Sequence, residues 1–218
     1  MPGMFPKTKK SKLDICTETA KFSAKLKHAD VTHKTSVLKD SFEVRRICLT
    51  TTSNRNRKTG EEMKEIFPDM YSEAAVWTDL GMIMGLEEDV KEHVLHKIRH
   101  TAKKYAQTMI NVEPADKDDD ELLALLAYGC GTTIGTLADP RNGVRQAGEE
   151  LSVDGVVVCQ LPATRLETVA LMTAAHAVFY TKFTGPCRAL FEILYRSVGF
   201  DVNLSGLSQK VWEVTQVV

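Results

Sequence analysis

The sequence predicts a mainly α protein: a helical body, a small N-terminal β-hairpin and a flexible basic N-terminal arm. Three observations carry this. Over most of residues 61–218 apolar side chains recur at spacings of three and four, the period of a helix buried on one face. Residues 31–52 are instead rich in β-branched residues around a short polar break. Residues 1–30 are lysine-rich with weak apolar periodicity, as a solvated terminus would be. The expected organisation is an arm over 1–30 and one mainly helical domain over 31–218, with the hairpin at 31–52.

The elements follow in order. The hairpin strands are Val31–Leu38 and Phe42–Thr52, joined by Lys39-Asp40-Ser41, and an exposed basic loop runs from Ser53 to Gly60. A short helix over 61–67 ends near Pro68. A helix over 72–84 has Ser72 as its cap, a stripe of Val76, Leu80 and Ile83, and Gly85 as its break. The clearest helix spans about 87–110, where Val90, Val94, Ile98, Ala102, Tyr105 and Met109 line one face. Acidic residues crowd its start and basic residues its later turns, which suits the helix dipole. Residues 114–120 form an acidic connector, 121–128 a helix disturbed by Gly129-Cys130-Gly131, and 139–143 a turn. The run Val153–Cys159 fits either a third strand or an untyped buried segment. Apolar helices over 162–183 and 186–198, each opening with proline, are expected to form the central core pair, and a last helix near 207–217 carries Trp212.

Composition narrows the class. With 43% hydrophobic and 26% charged residues in 218, the chain has material for a core, and global disorder is excluded. Five cysteines, an odd number with no C-x-x-C pair, argue for reduced thiols and against a disulfide framework or a cysteine-based zinc site. The N-terminus has no apolar signal region, and the longest apolar stretch, Val169–Tyr180, is well short of the roughly 20 residues that span a bilayer. A soluble intracellular protein is expected. Its place is the cytoplasm, with the nucleus open because Lys7-Thr-Lys-Lys-Ser-Lys12 matches a localisation signal.

The net charge of −1 hides a division. Residues 1–60 hold 14 Lys+Arg against 5 Asp+Glu, whereas the remaining residues hold 14 against 24. A basic segment on an acidic body points to an anionic partner or to electrostatic self-assembly. The candidate anion-binding residues fall in three places. Lys7, Lys9, Lys10 and Lys12 lie on the arm. Arg45 and Arg46 on the hairpin adjoin Arg55, Arg57 and Lys58 in its loop, where a guanidinium fork suits phosphate. His93, Lys97, His100 and Lys104 share one face of helix 87–110, with His96 and Lys103 beside them. That face gains charge as pH falls through about 6.5. A solvated helix face is the plainer account of it. Few aromatics interleave with the basic residues, only Phe22 and Phe42, which disfavours a base-stacking platform.

Other constellations are better explained structurally. Zinc at His93, His96 and His100 would be repelled by the adjacent lysines. The Asp116–Asp120 run lacks the glycine and the terminal acid of a calcium loop. Gly129–Gly135 has one residue too many for G-x-G-x-x-G and follows a helix, so a helix break or close packing is expected. His176 reads as a core histidine. Cys159 and Cys187 have no identifiable base, so no catalytic residue, metal or cofactor is expected.

The lysine-rich start Lys7–Lys12, the segment Phe42-Glu-Val-Arg-Arg and the following Ser53-Asn-Arg resemble the opening of rhabdovirus matrix proteins, over about residues 7–58. The resemblance implies a small viral assembly protein whose basic tail contacts anionic membrane and nucleocapsid and which self-associates in the virion. The chain lacks the P-P-x-Y and P-T/S-A-P motifs, and residues 61–218 are far more helical than that family's mixed fold. Only the class is therefore carried over. The function expected is a non-enzymatic, homo-oligomeric structural protein, matrix- or nucleocapsid-like, with no small-molecule substrate. A cellular helical adaptor and an enzyme with an unrecognised site are the alternatives.

Overall fold

The structure is a computed structural model and describes residues 15–50, 60–87, 89–110 and 117–216. Among the described residues the order is α1 (Ile15–His28), α2 (Val31–Thr50), α3 (Gly60–Ile66), α4 (Glu73–Met84), α5 (Val90–Ile110), α6 (Asp119–Gly129), β1 (Val144–Ala147), β2 (Glu150–Val153), β3 (Val156–Gln160), α7 (Arg165–Val178), α8 (Arg188–Ser197) and α9 (Gly206–Gln216). The protein is mainly helical, with one small antiparallel sheet of order β1-β2-β3. One cluster of buried apolar side chains runs from Phe22 to Val211. Among the described residues no helix is long and apolar enough to cross a membrane.

The β-hairpin expected at 31–52 is not formed. Residues 31–50 are helix α2, and residues 51–52 lie outside the described residues. Asp30 starts it: its carboxylate accepts from the His33 backbone N–H at 2.9 Å, satisfying one donor of the first turn. Leu38, Ser41, Arg45 and Cys48 are buried at spacings of three and four, a helical period. Two of these four are polar, so the period does not show as hydrophobicity. Packing then overrides the β preference of the valines, threonines and isoleucine. The expected arm over 1–30 is not an arm in its described part, and residues 1–14 lie outside the described residues. Ile15–His28 is helix α1, which buries Phe22 and Leu26, one turn apart, and packs on α2.

The sheet lies instead at 144–160, and two tight turns build it. Ala147 pairs with Glu150 across Gly148-Glu149, and Val153 pairs with Val156 across Asp154-Gly155. Asp154 and Gly155 have φ of 49° and 86°, the left-handed pair that matches the twist of a two-residue hairpin.

Helix α4 starts at Ser72, whose hydroxyl accepts from the Ala75 N–H, and stops at Gly85 with φ 70°. Helix α7 begins at Arg165, three residues after Pro162. Thr164 caps it in a reciprocal box: the Glu167 N–H donates to Thr164 Oγ1 at 3.2 Å, and the Thr164 hydroxyl donates back to Glu167 Oε2 at 2.9 Å. Every α7 residue from Leu166 to Val178 except Glu167 is buried. Its main partner is α4, not α8 as the sequence suggests. Helix α5 is the hub, touching α4, α6, α7, α8 and α9. Those neighbours cover its apolar side and leave one face to solvent.

Candidate anion-binding face

Helix α5 has two opposed faces, and the split follows from spacing. Val94, Ile98, Ala102, Tyr105 and Ala106 recur at three and four and are buried. On the other side His96, Lys97, His100 and Lys103 are exposed, and His93 and Lys104 are half-buried. The structure thus brings together the four α5 residues that the sequence singles out, with His96 and Lys103 along one edge as the sequence also places them. From His93 to Lys104 the row is about 16 Å long at the helical rise. The His96 and His100 rings stack one turn apart, with centroids 6.2 Å apart and planes 12° from parallel.

This face clusters cations without counter-charge. None of its six basic side chains has an ion-pair partner among the described residues, whereas several cations elsewhere on the body are neutralised. Lys34 meets Asp69 at 2.7 Å, Arg99 meets Asp119 at 2.9 Å, and Arg141 meets Asp139 at 2.7 Å. Lys91, also on α5, meets Glu73 at 3.4 Å and Glu167 at 2.8 Å. The His100 imidazole is held below its ordinary range by partial burial, then by Lys104, His96 and Lys97. Its neighbours in the row thus oppose protonation of His100, and an anion beside it would relieve that repulsion.

Arg45 and Arg46 do not belong to any such surface. Both are buried, because α2 turns them inward. Arg45 donates to the Leu38 carbonyl at 2.6 Å, to the Ser41 hydroxyl and to Asp79 of α4. Arg46 donates to the carbonyls of Ala177 at 3.0 Å and Val178 at 2.7 Å, satisfying acceptors that the end of α7 leaves open. Burial lowers its guanidinium from the usual value. Lys7, Lys9, Lys10, Lys12, Arg55, Arg57 and Lys58 lie outside the described residues.

The remaining constellations have structural explanations. Asp118 caps α6, accepting from the Glu121 N–H at 2.8 Å. No group of three His, Cys, Asp or Glu able to hold a metal occurs among the described residues. His176 is buried, its Nδ1 2.7 Å from the Thr181 hydroxyl and its ring between Phe183 and Phe191. Burial pushes the Cys130 thiol up to about 12 and the Cys159 thiol up to about 11, away from the thiolate a nucleophile needs. A cleft of about 740 Å³ lies beside the start of α7, lined by Glu92, Asp118, Asp119, Asp120 and Glu167 together with Arg99 and Arg165. It is the acidic counterpart of the basic row.

No protein-family model, curated protein or solved structure matches the chain.

Proposed function

We propose that this chain is a non-enzymatic, self-associating structural protein, viral and matrix- or nucleocapsid-like, that binds an anionic partner electrostatically. The partner is RNA or nucleoprotein, or an anionic membrane surface. The observation that supports this is the α5 row: six basic side chains clustered on one helix face, without ion-pair partners among the described residues. The N-terminal Lys7, Lys9, Lys10 and Lys12 and the Arg55, Arg57 and Lys58 cluster add charge of the same sign. Self-association follows from the charge division, which lets the basic segment of one copy meet the acidic body of another. The protein would act in the cytoplasm or nucleus of an infected cell and in the virion.

Light scattering of the purified chain across a salt series, with and without RNA, tests the reading. Assemblies that grow with RNA at low salt and dissolve as salt rises support it. Scattering that is indifferent to RNA and salt contradicts it.

One observation favours a second reading, the helical adaptor. Tyr128 is 80% exposed and Leu207 44%, and Leu207 Cδ2 lies close over Gly131, three residues along the chain from Tyr128. A protein partner that is lost on Tyr128→Ser with Leu207→Ser, while RNA binding is absent throughout, would favour it.

A further inference from the structure

We infer that the α5 row is a proton-gated site for the phosphodiester backbone of RNA. This rests on the anion-binding role proposed above and adds to it a partner and a regulator.

The shape of the row selects the partner. His93, Lys97, His100 and Lys104 fall within a narrow arc of one helix, and His96 and Lys103 widen it on one side only. A row about 16 Å long and one helix wide matches a linear polyanion. A flat anionic bilayer would have to meet more of the body than the row, and residues 61–218 as a whole hold 14 Lys+Arg against 24 Asp+Glu. No Phe, Tyr or Trp lies in the row, so it offers no extended stacking platform of the single-strand type, and its cations face phosphates.

The residue types select the regulator. Three of the six residues are histidines, the residue type whose charge ordinarily changes near neutral pH, and three are lysines, a type that stays charged there. Asp89, just before α5, lies one turn before His93, and Glu92 on α5 lies one turn before His96. Most carboxylates on the packed elements are engaged elsewhere: Asp79 of α4 is sealed against Arg45, and Asp120 and Glu121 of α6 lie 3.7 Å from Arg165 and 3.6 Å from Lys117. Asp119 of α6 is held by Arg99 at 2.9 Å, and Glu73 of α4 and Glu167 of α7 are held by Lys91 at 3.4 and 2.8 Å. Glu192 of α8 is held by Arg188 at 2.7 Å, and Glu213 of α9 accepts from the Gln209 amide at 2.8 Å. The charges acting on His100 are Lys104, His96 and Lys97, all on α5. A phosphate laid along the row offsets that repulsion, so RNA binding and proton uptake favour each other.

The test is the salt dependence of binding of an oligouridylate RNA, whose bases do not titrate in this range, to the full chain at about pH 8 and about pH 6. Each phosphate neutralised steepens log K against log salt by about 0.7 for a single strand. The N-terminal lysines and arginines contribute equally at both pH values. The slope is therefore expected to be steeper at pH 6 by about 1 to 1.5. The triple variant His93→Gln, His96→Gln, His100→Gln is expected to bind as the wild type does at pH 8 and to lose the pH response. Equal slopes at both pH values in the wild type overturn the gate but leave anion binding standing, as does a pH response that survives in the triple variant. Binding to phosphatidylcholine vesicles containing phosphatidylserine, with none to the RNA, overturns the choice of partner. Binding to neither overturns the underlying function too.

Discussion

Arg45 of α2 and Asp79 of α4 form an ion pair sealed inside the protein, with side chains 1% and 4% exposed. The pair ties the N-terminal helices to the helix that carries α7. Taking two charges out of water is costly, and here the guanidinium's further bonds to Leu38 and Ser41 help offset it. Asp79→Ala leaves a buried cation without its counter-charge and should destabilise the fold by about 3–5 kcal/mol. The paired replacement Arg45→Met with Asp79→Leu should recover most of that loss. Urea unfolding of the three proteins measures both effects, and a double variant no better than Asp79→Ala would show that the pair's charges are not the issue.

His176 should make the protein acid-sensitive. Burial holds its imidazole far below the ordinary 6.5, at about 3, so the folded state keeps it neutral. Between those values the unfolded chain binds the proton and the folded chain does not. The stability from this group is complete above about pH 6.5 and is lost as pH falls toward 3. Lowering pH from 7 to 5 should cost the wild type about 2 kcal/mol more than His176→Gln. Denaturant midpoints at the two pH values measure this, and parallel losses in both proteins would contradict it.

Much of the body was legible in the sequence because its signals were local. The Val90-to-Met109 period located α5, and Ser72 and Gly85 marked the ends of α4. What was hidden was hidden by tertiary context. In α2 the buried face includes Ser41 and Arg45, which only a partner such as Asp79 makes tolerable, so the helix looked like strands. The same pairing removes Arg45 from the surface to which its charge alone would assign it. The sheet did carry a signal in Asp154-Gly155 between Val153 and Val156, a two-residue hairpin turn within what looked like one apolar run. The α5 face was legible as a pattern. That its charges lack ion-pair partners among the described residues was not, because the neutralising contacts of Lys91 and Arg99 come from α4, α6 and α7.

Gly129 should be intolerant of a side chain, as its place in the Gly129-Cys130-Gly131 break suggests. A methyl group there would meet the Tyr105 ring and hydroxyl from α5, with Cε1 at 3.0 Å. Gly129→Ala should therefore cost about 1–3 kcal/mol through overpacking where α6 crosses α5. Gly206, at the start of α9, has nothing within 4 Å of the corresponding position. Gly206→Ala should be neutral or stabilise by up to about 1 kcal/mol by restricting the unfolded chain. Thermal unfolding of the two variants compares them, and equal effects would contradict the packing account.

The proposed function requires the α5 row to hold an anion through its unneutralised lysines. The most direct measurement is the affinity of the full chain for oligouridylate RNA at about pH 8 and fixed moderate salt, wild type against Lys97→Gln, Lys103→Gln, Lys104→Gln. These side chains make no ion pairs among the described residues, so the variant should keep its helical circular dichroism. Its affinity should fall on the order of tenfold or more, and its salt slope should become shallower by about 2. A folded variant that binds with the affinity and salt slope of the wild type would contradict the claim.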